Sequence, residues 1–116
     1  MINLDYQGRT PIYEQIILEI EKYVSLGILK PKDQLMSIRE MATTLGINPN
    51  TVKKAYTELE NKGVITVIST KRAYITENIK GVVDKKVNSK INEINNIIEE
   101  LEKLGITKPE VINKIK

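Results

Sequence analysis

The sequence predicts a mainly α-helical chain with one small β-hairpin, and three observations lead to this prediction. Apolar residues recur at three- and four-residue steps in several stretches, which is the period of helices with one buried face. The β-branched run Val64–Ile68 follows a glycine and precedes a polar turn, a pattern typical of a hairpin. A length of 116 residues leaves room for one ordinary domain and a short appendage.

The composition excludes several classes of protein. The chain has no cysteine and no histidine, which excludes zinc fingers, cysteine nucleophiles, Ser-His-Asp triads and disulfide frameworks. The sequence also shows no phosphate-binding loop and no catalytic pair of carboxylates, so we expect neither enzymatic activity nor a cofactor or metal site. Glu99, Glu100 and Glu102 are interpreted as the solvated face of a helix rather than as a cation site.

The distribution of apolar residues predicts a cytoplasmic protein. No apolar run approaches the roughly 18 residues of a membrane span, and no signal-peptide core follows the N-terminus, so we expect no membrane partner. The net charge of +3 favours an anionic partner only weakly.

Capping residues divide the first two-thirds of the chain into three helices. Thr10 and Pro11 predict the start of the first helix, and Gly27 its end. Ser37 and Glu40 form a capping-box pattern for a brief second helix that Gly46 stops. The third helix is predicted from Asn48-Pro49 to about Lys62, with Gly63 as its stop.

The second and third predicted helices have the packing pattern of a helix-turn-helix. Ala42 is small enough for close helix approach, and Val52 and Ala55 face the third helix back onto the second. In such a motif the N-terminal residues of the later helix reach base edges in the major groove. Its exposed positions carry amides, a hydroxyl and cations suited to bases and phosphates: Asn48, Asn50, Thr51, Lys53 and Lys54. A chance lookalike that binds no ligand is the alternative.

The predicted hairpin strengthens the DNA-binding interpretation. Its turn, Ser69–Arg72, carries Lys71 and Arg72, and Ala73–Thr76 returns as the second strand. Three helices followed by a basic-tipped hairpin predict a winged helix-turn-helix, although a plain solvated turn would have a similar composition. Residues 30–80 hold nine Lys/Arg against five Asp/Glu, so the positive charge is concentrated in this segment.

The C-terminal third predicts a long amphipathic helix that pairs with a second copy. Its apolar stripe has the spacing of a coiled-coil seam: Val87, Ile91, Ile94, Ile98 and Leu101. Gly105 ends this helix, and Thr107 with Glu110 predicts a last short one. We therefore predict a DNA-binding domain at residues 1–78 and a dimerisation tail at 79–116. The alternative is a tail that packs onto its own winged domain.

Several motifs together resemble the N-terminal domain of GntR-family bacterial transcription regulators. The resemblance covers about residues 9–76 and is strongest in two runs, Pro-Ile-Tyr-Glu-Gln at 11–15 and Asn-Pro-Asn-Thr-Val-Lys-Lys-Ala-Tyr at 48–56. The short tail is similar to that of the YtrA-type subfamily, whose members use it to dimerise. This resemblance implies a regulator, often a repressor of transporter operons.

The resemblance also implies roles for particular residues. It places Arg39 before the recognition helix as a DNA contact, marks Asn48, Asn50, Thr51 and Lys53 as recognition-helix positions, and makes the hairpin tip the wing. We include Ser37 among the predicted DNA contacts. Two departures stand out: Leu-Met-Ser at 35–37 replaces Leu-Pro-Ser, and Thr-Lys-Arg-Ala at 70–73 replaces a Gly-x-Gly wing. We therefore expect this wing to act through its cations.

These observations predict a dimeric regulator that binds a two-fold operator in double-stranded DNA. A protein-interaction adaptor with a coiled-coil tail is the alternative from another class, and a nonspecific nucleoid protein is a third. The tail is too short to enclose a metabolite as a separate sensor domain would, so the effector, if one exists, stays undefined. The operator sequence and the regulated genes are likewise undefined.

Overall fold

The computed structural model describes residues 2–69 and 71–115. Within them the chain forms helices and strands in the order helix, strand, two helices, two strands, two helices. Their bounds are α1 Ile12–Ser25, β1 Gln34–Leu35, α2 Ile38–Leu45, α3 Pro49–Asn61, β2 Ile65–Ser69, β3 Arg72–Ile75, α4 Ile79–Lys103 and α5 Lys108–Lys114. The predicted fold class, mainly α-helical with a small sheet, is confirmed.

Helix α1 begins one residue later than the capping pattern predicts. Pro11 occupies the N-cap position and no side chain caps the helix, so the predicted role of Thr10 is wrong. The Gln15 side chain takes part instead: its Nε2 donates to the backbone oxygens of Thr10 and Asp5, both at 2.8 Å. Gly27 lies in the left-handed region (φ 74°) just after the helix, as predicted for its end.

The core of the first unit is built mainly from one face of each helix and from the sheet. Ile16 and Ile20 of α1, Val52 and Leu59 of α3, and Ile75 of β3 each have at most 1% of their surface exposed. Burying a side chain of this size contributes about 1.5–3 kcal/mol. The apolar spacing therefore identified the faces that hold α1 against α3.

The sheet has a third strand that the sequence pattern did not predict. Its order is β1-β3-β2, with both pairings antiparallel. Strand β1 has only two residues, Gln34 and Leu35, so no alternation identifies it. A register shift between Val67 and Ser69 makes Ile68 an extra residue beside the hairpin turn. Thr70, at that turn, lies outside the described residues.

A tight turn with an unusual backbone angle precedes β1. The Asp33 N–H donates to the Lys30 oxygen at 3.0 Å, with Pro31 and Lys32 between them. Lys32 has a φ of 69°, the left-handed conformation that the third position of a type II turn requires and that favours glycine. The turn is tied to β3, because the Lys32 N–H donates to the Ile75 oxygen at 2.9 Å.

Replacing Lys32 with glycine is expected to stabilise the fold by about 0.5–1 kcal/mol. Glycine removes the left-handed strain, which costs about 1–2 kcal/mol. Part of this gain is offset because glycine makes the unfolded chain more flexible, which favours unfolding. The lost ion pair with Glu77, at 3.4 Å between exposed side chains, contributes little. Urea unfolding measures the change, with Lys32→Ala as the control that loses the ion pair but keeps the strain. Equal midpoints for the two variants would contradict this account.

The chain divides into two compact units, residues 1–83 and 84–116. The first turn of α4 belongs to the first unit, where Ile79 is buried in the core and Val82 packs against it. In the second unit, Thr107 and Glu110 form the predicted capping box at the start of α5. None of the described helices is long and apolar enough to cross a membrane.

Candidate nucleic-acid interface

An open groove of about 730 Å³ runs along the surface of the first unit, between α2, α3 and the hairpin turn. It brings together five of the nine residues predicted to bind DNA: Ser37, Arg39, Asn50, Lys53 and Lys71. Four of these side chains are exposed, and Ser37 is buried. Three cations therefore line one surface, although Lys71 is separated from Arg39 by 32 positions in the sequence.

The turn between α2 and α3 fixes the angle at which the two helices meet. Gly46 takes the left-handed conformation (φ 67°), and the next N–H, of Ile47, donates back to the Ala42 oxygen at 3.0 Å. Ala42, Val52 and Ala55 are all buried between the helices, which confirms the packing pattern of a helix-turn-helix.

Both helices direct their N-terminal ends to this groove. The Ser37 hydroxyl accepts from the Glu40 N–H at 3.1 Å, and the Asn48 side chain accepts from the Asn50 N–H at 2.8 Å. Only this half of the predicted Ser37–Glu40 capping box forms. The remaining helix N–H groups and the positive ends of two helix dipoles favour an anion such as phosphate.

The other four predicted residues lie outside the groove lining. Asn48 acts as the N-cap of α3, and Thr51 is half-buried on its first turn. Lys54 turns towards α1, where its Nζ lies 3.9 Å from the centre of the Tyr13 ring. Arg72 is exposed at the start of β3. The DNA-binding roles of these four residues stay predictions.

Two threonines that line the groove were missed by the sequence reasoning. Thr43 and Thr44 line the groove with exposed side chains. Thr43 lies four positions after Arg39, one helical turn away on the same face of α2. That spacing was available in the sequence and would have identified it. Glu40 also lines the groove and is its one carboxylate among the described residues.

Tyr56 is a further residue that sequence reasoning did not assign to the site, and it positions the start of α2. Its hydroxyl donates to the Met36 oxygen at 2.6 Å, and only 2% of the residue is exposed. The bond joins α3 to the residue before Ser37, and so to the helix that carries Arg39. Burial, with a smaller contribution from the charge of Glu40, raises the pKa of Tyr56 well above its ordinary value of 10.0.

Replacing Tyr56 with phenylalanine is expected to destabilise the fold at pH 7 by about 0.5–1.5 kcal/mol, because the part-buried hydrogen bond to the Met36 oxygen is lost. Above pH 10 the unfolded chain releases the Tyr56 proton while the folded protein keeps it. The stability that this residue confers is therefore complete below pH 10 and falls as the pH rises further. Urea unfolding of the wild type and of Tyr56→Phe at pH 7 to 11 measures this effect. The difference between their free energies of unfolding should narrow as the pH rises above 10.

Tyr6→Phe is the matched control for this change. The Tyr6 hydroxyl also donates to a backbone oxygen at 2.6 Å, that of Leu45, but its side chain is exposed. We expect its loss to destabilise the fold less, since water replaces the missing donor. A stability difference between Tyr56→Phe and the wild type that stays constant through pH 11 would contradict the buried-phenol account.

The second unit presents the apolar stripe predicted for dimerisation. Val87, Ile91 and Ile94 have 52%, 49% and 50% of their surfaces exposed along α4, and Ile98 and Leu101 are half-buried. Ile97 and Leu104 widen the stripe. Aliphatic side chains exposed in a continuous row along a helix are typical of a surface that a partner covers.

These features define the class of the protein as a winged helix-turn-helix protein with a helical tail. The chain matches the model of the gntR family of bacterial regulatory proteins over residues 12–75. It belongs to the GntR family, which the resemblance in its helix-turn-helix sequence predicted. It thus has the DNA-binding winged-helix fold of the transcriptional regulators in that family.

Individual relatives extend this assignment to the short-tailed type. The chain is 50% identical over 80 residues to the HTH-type transcriptional repressor YtrA of Bacillus subtilis. The matched region covers 69% of this chain and 62% of that protein. It therefore spans about three-fifths of that relative. A transcriptional regulator from Oenococcus oeni is similar in structure, with a TM-score of 0.74, 34% identity and coverage of 97% and 94%. YtrA from Sulfolobus acidocaldarius gives a TM-score of 0.63, 34% identity and coverage of 87% and 99%.

Proposed function

We propose that the chain is a dimeric repressor that binds a two-fold DNA operator through the groove between α2, α3 and the wing. The observation that carries this proposal is the convergence of Arg39, Asn50, Lys53 and Lys71 on one open surface at two helix N-termini. Base-reading amides beside phosphate-binding cations are the combination that sequence-specific DNA recognition requires.

Each element has a distinct part in this proposal. Helix α3 enters the major groove with Asn50 and Lys53 at base edges, because both lie on its first two turns and are exposed. Arg39, on the first turn of α2, binds the adjacent phosphates. Lys71 extends the contact from the wing to phosphate or to the minor groove, since this turn has cations where related wings carry glycines.

Dimerisation through the stripe on α4 completes the proposal. Two copies related by a two-fold axis would meet an operator whose half-sites are a helical turn of DNA, or a multiple of it, apart. Likeness to a named repressor of Bacillus subtilis supports repression as the outcome of binding. Binding to chromosomal DNA would require a cytoplasmic location, which is part of this proposal.

The salt dependence of duplex binding tests the proposal. If a dimer neutralises about eight phosphates, the logarithm of its binding constant should fall with the logarithm of the salt concentration at a slope of about −7. Fluorescence anisotropy with a labelled duplex at 50 to 300 mM KCl measures this slope, and a scrambled duplex is the control. A flat response would favour the interaction adaptor, and equal affinity for both duplexes would favour a nonspecific nucleoid protein.

A further inference from the structure

A second cavity opens at the surface of the first unit, beside α2. Its volume is about 360 Å³, within the range of small-molecule sites. The lining is largely aliphatic or thioether and comes from α1, α2 and the segment between them: Ile20, Leu29, Leu35, Met36, Met41 and Leu45. Helix α2 is thus a wall between this cavity and the candidate DNA surface, and Thr44 lines both.

The N-terminal arm covers part of this cavity. Ile2 contributes to the lining and packs against the core. Two hydrogen bonds hold the arm in place. The Asp5 N–H donates to Gln15 Oε1 at 2.7 Å, and the Tyr6 hydroxyl donates to the Leu45 oxygen. An occupant of the cavity would therefore contact the arm and α2 together.

The chemistry of the lining limits the class of occupant. No Lys, Arg, Asp or Glu is among the lining residues, so a charged ligand would be left without an ionic partner. Tyr23, Gln34 and Thr44 are the lining residues with hydrogen-bonding side chains. Met36 and Met41 have flexible thioether side chains that adapt to irregular apolar shapes. These features fit an uncharged, mostly apolar molecule with one or two polar groups.

The position of the cavity connects it to DNA binding. Met36, one of its walls, precedes Ser37 at the start of α2, and its oxygen accepts the Tyr56 hydroxyl bond. A ligand that displaced Met36 or Met41 would therefore act on the start of the helix that carries Arg39. We propose that this cavity is an effector site for an uncharged apolar small molecule, and that its occupancy weakens DNA binding. The regulatory part of this inference rests on the proposed function.

Binding of indole, an uncharged aromatic with one N–H donor, tests the site. In the full chain with 13C-labelled methionine methyl groups, Met36 and Met41 should shift saturably as indole is added. Leu29→Trp, which fills the cavity from its half-buried edge, should abolish these shifts. Leu26→Trp is the matched control, because Leu26 is 64% exposed and lies outside the lining. If Leu29→Trp does not fold, Leu45→Phe replaces it.

Saturating indole should also weaken duplex binding by the wild type about fivefold or more, and leave Leu29→Trp unaffected. Absence of saturable methionine shifts, or shifts that Leu29→Trp retains, would overturn the site. Shifts without a change in duplex affinity would overturn its effector role and leave the proposed function intact. If the chain binds no duplex at all, the proposed function is wrong. The methionine shifts would still test whether the cavity binds indole.

Discussion

Replacing Ile94 and Ile98 together with aspartate is expected to give a folded monomer that binds its operator about 100-fold more weakly. Two charges in the apolar stripe of α4 cannot be buried against a second copy without a large desolvation penalty. The second half-site contact of a dimer is effectively intramolecular, and its loss removes an avidity of about 10²–10⁴. Analytical ultracentrifugation and duplex titration measure the two effects on the same preparation.

Asn92→Asp with Asn96→Asp is the matched control for the dimer prediction. The pair adds the same two charges to the same helix, on the face about opposite Ile94 by helical geometry. Both asparagines are exposed. This control should remain dimeric and bind the operator nearly as the wild type does. A dimer of unchanged sedimentation in the Ile94/Ile98 variant would show that the stripe is not the interface.

Replacing Asn50 with alanine is expected to relax base preference and weaken operator binding by about 1–3 kcal/mol for each half-site. The side chain is exposed on the first turn of α3 and lines the groove, where an amide can make two hydrogen bonds to the major-groove edge of an adenine. Affinity for a scrambled duplex should hardly change, because the lost contact reads a base rather than a phosphate. Competition between operator and scrambled duplexes measures the specificity ratio.

Lys71→Ala separates phosphate contact from base reading. This change should weaken operator and scrambled duplexes alike and lower the magnitude of the salt slope by about 2, since a dimer loses two phosphate contacts, whereas Asn50→Ala should leave that slope unchanged. Lys22→Ala is the control, because Lys22 is an exposed cation near the end of α1 and lies outside the groove. This change should alter neither the duplex affinity nor the salt slope. A base-selective loss for Lys71→Ala would contradict the assignment of the wing to phosphate.

Helices and their buried faces followed from local sequence because their determinants are local. The glycines at positions 27, 46, 63 and 105 all adopt positive φ angles after helices, where the pattern predicted helix ends. The apolar spacing found the faces that pack, such as Val52 and Ala55 of α3. Strand β1 escaped notice because a two-residue strand is defined by its partner, β3, and not by its own composition.

The composition of the candidate site was predictable, but its assembly was not. Residue type and helix position indicated Asn50 and Lys53, and the family resemblance indicated Arg39, whereas only the fold brings Lys71 to the same groove. Lys54 was grouped with Lys53 by sequence alone. Successive residues on a helix point about 100° apart, and Lys54 faces the Tyr13 ring on α1 instead.

The Tyr56 bond and the cavity behind α2 also depend on residues far apart in sequence. Tyr56 and Met36 are separated by 20 positions. The cavity joins Ile2 to residues as distant as Leu45. No local pattern encodes such contacts, since each side chain is an ordinary core residue until the helices are packed together.

Selection from a pool of random duplexes tests the central claim, two-fold sequence-specific recognition by the groove, most directly. The wild type should enrich an inverted repeat whose half-site centres are about 10 base pairs, or a multiple of that, apart. Asn50→Ala should enrich the same spacing with a relaxed position in each half-site. Recovery of duplexes with no common sequence, or of a single unpaired half-site, would contradict the account.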